Sequence, residues 1–144
     1  MSLPAAQAIE GVLEAAIYVD DLDAATRFYR DTLGLEVIVR HEPRHVFFRC
    51  GSTIVLAFNP AQTRQPPEPG AALPVPPHGA EGDGHICFTV EEPELGRLRD
   101  ALAAAGTAIE ADFRWPNGAR SVYVRDPAGN SVEFAEKRLW ERDA

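Results

Sequence analysis

Three ionisable side chains, Glu14, His85 and Glu133, occupy matching places in strand-like segments. In Ser131–Glu136, Val132 and Phe134 alternate with Ser131, Glu133 and Ala135, so Glu133 faces away from the apolar side. In His85–Val90, Ile86 and Phe88 take the apolar side and leave His85, Cys87 and Thr89 opposite. In Leu13–Val19, Glu14 lies opposite Ala15 and Ile17. If the three faces curl into a shared cavity, two carboxylates and an imidazole meet there. Such a group calls for a cation, because unpaired buried carboxylates are costly. A neutral histidine with two carboxylates balances a divalent metal ion and leaves positions open for substrate, an arrangement suited to Mn, Fe, Co, Ni or Zn. Glu133, or Glu14 if it leaves the metal, is then the candidate general base. The plainer alternative makes Glu14 a solvated edge residue and His85 a histidine bonded to backbone.

Other side chains could assist. Tyr18 is placed to donate a hydrogen bond to substrate or simply to line the wall. Cys87, two residues from His85 on the same face, is a small lining residue or a nucleophile. Arg120, beside a cavity strand, could pair with an anionic substrate or sit in a surface ion pair. His78 reads as solvated unless a flap carries it inward, and Trp115 and Trp140 read as packing or subunit-contact residues.

The elements that must position these groups repeat. Leu13–Val19 reads as a strand, and Asp20 and Asp21 are N-cap candidates. Leu22, Ala25, Phe28, Tyr29 and Leu33 recur at helical spacing, and Gly34 suits a left-handed cap. Leu35–Arg40, His45–Cys50 and Thr53–Phe58 then read as strands. The order recurs in His85–Val90, in a helix opened by Pro93 with Leu95, Leu98, Leu102 and Ala105 on its stripe, and in strands Ala108–Ala111, Ser121–Arg125 and Ser131–Glu136. Gly51-Ser52-Thr53-Ile54-Val55 falls on Gly129-Asn130-Ser131-Val132-Glu133, which sets Val55 against Glu133. The pattern predicts an α+β fold: two tandem βαβββ modules forming a cup-shaped, partly open mixed β-sheet barrel with helices outside. Module one covers about 11–59 and module two about 84–137 of a single domain. The Pro- and Gly-rich connector 60–83 is either a semi-rigid linker or a flap over the cup.

Bulk properties narrow the classes. The 144 residues suffice to bury a core without disulfides or structural metal. The net charge of −8 and the lack of a Lys/Arg cluster argue against a nucleic-acid partner. No apolar run approaches the roughly 18 residues of a membrane span, and Met1–Glu10 lacks the pattern of a signal peptide. Cys50 and Cys87 form no Cys-x-x-Cys motif, so a reducing cytoplasm is expected.

Leu13–Leu22 followed by Arg27-Phe28-Tyr29-Arg30-Asp31-Thr32-Leu33-Gly34-Leu35 resembles the opening of the vicinal oxygen chelate superfamily, the glyoxalase/bleomycin resistance protein/extradiol dioxygenase family. Gly84–Val90 resembles the opening of its second unit, and Arg120–Phe134, with Asp126-Pro127-Ala128-Gly129-Asn130, resembles its ending. The resemblance implies metal ligands at Glu14, His85 and Glu133, while the remaining ligand position falls on Val55, which cannot ligate. That departs from the four-ligand pattern of glyoxalase I-type enzymes. Asn59 falls near an Asn that helps hold glutathione in such enzymes, and Tyr18 stands where an Arg is expected. Having one His rather than two favours isomerase or lyase chemistry over a dioxygenase. The expectation is a divalent-metal enzyme for a small oxygen-rich substrate; the alternative is a metal-free binding protein of the bleomycin-resistance type. A homodimer is implied in either case.

Overall fold

A computed structural model describes residues 8–141, so most of the N-terminal stretch read for targeting signals lies outside the described residues. The elements run β1 (Glu14–Tyr18), α1 (Leu22–Thr26) continuing as a π-helix (Arg27–Thr32), β2 (Glu36–His41), β3 (His45–Cys50), β4 (Thr53–Phe58) and α2 (Pro60–Thr63). They continue β5 (His85–Thr89), α3 (Glu92–Ala104), β6 (Ala111–Arg114), β7 (Arg120–Arg125), β8 (Ser131–Ala135) and a 3-10 turn (Lys137–Trp140). Two four-stranded mixed sheets result, ordered β1-β4-β3-β2 and β5-β8-β7-β6. Each has one parallel pair, β1 with β4 and β5 with β8, and is otherwise antiparallel. The α+β fold of two tandem βαβββ modules read from the sequence is present, with its sheets open rather than closed into a full barrel.

Local chemistry explains the element ends. The Asp21 carboxylate accepts from Ala24 N at 3.0 Å and caps α1. Pro93 fits the first turn of α3, whose Leu95 and Leu102 are buried. Gly129, at φ +93°, makes the left-handed step in the turn that feeds β8. The last strand pair departs from the sequence reading: β6 is Ala111–Arg114, not Ala108–Ala111. Asp112 and Arg114 look like loop residues, but each gains an ion partner on the helix side, Arg120 and Glu92 respectively.

One core serves both modules. Ile17, Phe28 and Tyr29 pack in the same buried cluster as Phe88, Leu95 and Val132. Polar clasps reinforce the join: Asn130 Nδ2 donates to the Tyr18 carbonyl at 3.0 Å, and Gly84 N donates to Asn130 Oδ1 at 2.8 Å. Because the apolar faces turn inward to this core, each sheet's opposite face points away from it. Among the described residues, no helix is long and apolar enough to cross a membrane.

Candidate functional site

Module two's open face carries the most concentrated chemistry. In the parallel β5–β8 register, His85 sits beside Ser131 and Cys87 beside Glu133. Tyr123 faces Glu133 across the antiparallel β7–β8 pair. His85 and Glu133 meet, with Nε2 to Oε1 at 3.2 Å, in a cavity of about 510 Å³. Glu133 is 5% exposed, whereas about half of the His85 side chain is open to solvent. Trp115, Tyr123 and Trp140 form aromatic walls, and Phe113 stacks on Tyr123 at 5.7 Å.

The contacts of His85 admit two proton arrangements. Its Nδ1 lies 3.1 Å from the Ser131 carbonyl and 3.2 Å from the Ser131 hydroxyl. If the hydroxyl donates to Nδ1, then Nε2–H donates to Glu133 and the pair is complete without a metal. If Nδ1–H donates to the carbonyl, which can only accept, neutral Nε2 aims a lone pair at a carboxylate oxygen. That second arrangement needs a cation between the two, either a metal ion or the proton that makes the ring an imidazolium donating to Glu133. It is also how metal-bound histidines are commonly fixed through their other nitrogen. The spacing fits: adjacent ligands about 2.1 Å from one ion lie roughly 3.0–3.4 Å apart, and the pair is at 3.2 Å.

Glu133 is braced from behind. Ser121 Oγ donates to its Oε2 at 2.6 Å, and Trp115 Nε1 donates to Ser121 Oγ at 2.8 Å. Burial, and then the Glu133 charge, push the Cys87 thiol and the Tyr123 phenol each up to about 12. Cys87 therefore keeps its proton at neutral pH, which favours a lining role over a nucleophile.

Glu14 is elsewhere. It lines a separate cavity of about 580 Å³ on module one's open face, with Arg44, His45, Phe47, Phe58 and His78. The connector lies across this face through Leu73, Val75 and His78. His78 Nδ1 meets the Tyr18 hydroxyl at 2.8 Å, and its ring packs edge-on against Phe58 at 4.7 Å. The connector, read from sequence as a semi-rigid linker or a flap over the cup, thus rests on module one's sheet through these contacts. His45 is held below the usual histidine range by burial and then by Arg44. Among the described residues of one chain, no three His, Cys, Asp or Glu side chains cluster closely enough to hold a metal ion. Glu14 thus does not join His85 and Glu133 within one chain.

Two other sequence candidates are occupied. Asn59 caps α2 by accepting from Ala61 N at 3.0 Å and donates to the Pro43 carbonyl at 3.3 Å, so its amide serves the turn. Arg120 points to the helix side and pairs with Asp112 through two contacts, at 2.9 and 2.8 Å, rather than reaching the cavity. Strand parity carries the signal: Arg120 alternates with Ser121 and Tyr123, which do face the cavity. The same parity is the signal that would have found Ser121, which the sequence reading did not single out. The cavity roles of Trp115 and Trp140 had no such signal, because both lie outside strands.

The register also corrects the match between modules. Glu14 pairs with Ile54 and Ala16 with Leu56, just as His85 pairs with Ser131 and Cys87 with Glu133. The module-one counterpart of Glu133 is therefore Leu56, not Val55. Val55 points into the core and is 2% exposed. Neither residue can ligate a metal.

Comparison with known proteins agrees with this architecture. Residues 11–134 match the model of the Glyoxalase/Bleomycin resistance protein/Dioxygenase superfamily. The crystal structure of a lactoylglutathione lyase from Agrobacterium tumefaciens is 43% identical, with a TM-score of 0.87 over 94% of this chain and 99% of that one. The virulence protein STM3117 of Salmonella typhimurium is 24% identical over 131 residues, 89% of this chain and 85% of that protein. A glyoxalase/bleomycin resistance protein/dioxygenase from Nocardioides shares the fold at 21% identity, with a TM-score of 0.69 over 90% of this chain and 84% of that one.

Proposed function

The chain belongs to the glyoxalase/bleomycin resistance protein/dioxygenase superfamily, and we propose that it is a divalent-metal-dependent isomerase or lyase acting on a small oxygen-rich substrate. The carrying observation is the His85–Glu133 pair at 3.2 Å, at the base of an aromatic-walled cavity. The 43% likeness to a lactoylglutathione lyase supports the reaction class.

His85 Nε2 and Glu133 Oε1 would hold the ion. When bound, it supplies Lewis-acid stabilisation of negative charge on substrate oxygens. Both Glu133 oxygens are already engaged, one by Ser121 and one toward His85. Glu14 is exposed, and no partner holds its carboxylate among the described residues. Glu14 is therefore the better proton carrier, accepting a proton from a substrate carbon and returning it to the neighbouring one.

Glu14 reaches that place from a second copy. A C2 dimer that sets module one's open face over its partner's module-two face makes two equal cups. Each would hold Glu14 from one chain and His85 and Glu133 from the other. Exposed Trp140, Phe113 and Val39 supply apolar surface for such a contact. Analytical ultracentrifugation should then give a dimer.

Metal analysis of protein purified without chelator, beside His85→Ala and Glu14→Gln, tests the reading. His85→Ala should lose the metal, and Glu14→Gln should keep metal while losing turnover. Metal content independent of His85 would sink it. The complete Ser131-to-His85-to-Glu133 hydrogen-bond arrangement specifically favours a metal-free binding protein; ligand-induced thermal shifts that persist in chelator would establish that alternative.

A further inference from the structure

The cavity wall contains a hydrogen-bond chain whose direction is fixed. An indole N–H can only donate, so at 2.8 Å the Ser121 oxygen must accept from Trp115. The single hydroxyl proton of Ser121 then goes to Glu133 Oε2 at 2.6 Å, a length typical of a charge-assisted O–H···O⁻ bond. Ser121 is fully buried, so no water competes for either bond.

We propose that Ser121, itself oriented by Trp115, is a positioning residue that pins Glu133 through Oε2 and presents Oε1 alone to the His85 side. The proposal rests on the metal reading above and concerns how the carboxylate is delivered. The last torsion of a Glu side chain is broad and roughly two-fold. Without an anchor on Oε2, the carboxylate would rotate and could offer both oxygens to one ion. The chain also begins at a residue that lines the substrate cavity. A ligand stacked on the Trp115 ring therefore presses on the support of Glu133, so wall and carboxylate are linked by two hydrogen bonds.

Cobalt(II) alone is a suitable probe, with its affinity and visible d–d spectrum as readouts and thermal melting as a check on folding. Wild type should bind it, and His85→Ala should not. Ser121→Ala should bind about 10- to 100-fold more weakly, the usual cost of losing a ligand's supporting hydrogen bond. Its d–d absorption should fall as a second carboxylate oxygen enters. Trp115→Phe keeps the ring but drops the N–H, and should shift both readouts the same way by less. Ser121→Thr restores the hydroxyl and should restore both. Wild-type affinity and spectrum in folded Ser121→Ala or Trp115→Phe, with binding still dependent on His85, would overturn the positioning role alone. Loss of His85 dependence in the wild type would overturn the metal reading, and this inference with it.

Discussion

The Tyr29 hydroxyl, on the π-helical turn of module one, donates to Asp126 Oδ2 of module two at 2.7 Å, with both residues buried. Burial and the facing Asp126 charge hold the phenol far above its usual range, so it remains a donor at every working pH.

Removing that hydroxyl tests the join between modules. In Tyr29→Phe, Asp126 keeps Ala128 N, Asn130 N and Asn130 Nδ2 as donors, so the carboxylate is not stranded. The cost should be about 1.5–3 kcal/mol, the range for a hydrogen bond to a charged group. Urea denaturation at neutral pH reads it. An unchanged midpoint would mean that the clasp adds nothing to the shared core.

Acid stability should depend on Asp112. The Arg120 guanidinium, bonded through two contacts, and then Arg99 hold its carboxyl below the usual range. A depressed folded-state pKa gives stability that is complete above the unfolded value of about 3.9 and is lost as pH falls through the folded value. Asp112→Asn should cost about 1 kcal/mol at pH 7 and progressively less as pH falls below the unfolded value. Denaturation midpoints measured from pH 2 to 7 would show the mutant and wild-type curves converging at the acid end.

Cys87 should be inert although it lies in the cavity. With its thiol pushed up to about 12 by burial and then by Glu133, the thiol form dominates at pH 8. Iodoacetamide should modify it far more slowly than free cysteine, as read by mass spectrometry over time. Rapid labelling at pH 8 would reopen a nucleophilic role.

Period-two alternation carries much of what the sequence made legible. It put His85 and Glu133 on one face because Ile86, Phe88, Val132 and Phe134 had to reach the core. The repeat likewise gave the order of elements along both modules, though not the order of strands within each sheet. Alternation says nothing about which way two open faces look relative to each other, so the separation of Glu14 from the pair was not readable. That separation follows from both helical faces sharing one core. Trp115 and Trp140 were missed for a related reason: a hairpin turn and a terminal 3-10 turn bring them to the cavity, and no periodicity marks them. The charged stretch Asp112–Arg114 hid a strand because its charges are paired, Asp112 with Arg120 on the neighbouring strand and Arg114 with Glu92 on α3, rather than solvated alone.

The one-residue offset between modules can itself be tested. Aligning the glycine turns sets Val55 against Glu133, whereas the strand registers make Leu56 the counterpart. A slip of one residue in a strand exchanges core for open face, so the two assignments have opposite consequences. Val55→Glu would place a carboxylate in the shared core, where an unpaired charge costs several kcal/mol, and the variant should not fold. Leu56→Glu would put the same group in the cavity that holds Arg44; it should fold with a loss of about 1.5–3 kcal/mol from the missing apolar contact. In the proposed dimer it would also add a fourth carboxylate or imidazole donor beside Glu14, His85 and Glu133, tightening cobalt(II) binding. Circular dichroism melts of the two variants decide the register. A folded Val55→Glu beside an unfolded Leu56→Glu would restore the glycine-turn alignment and turn module one's strand over.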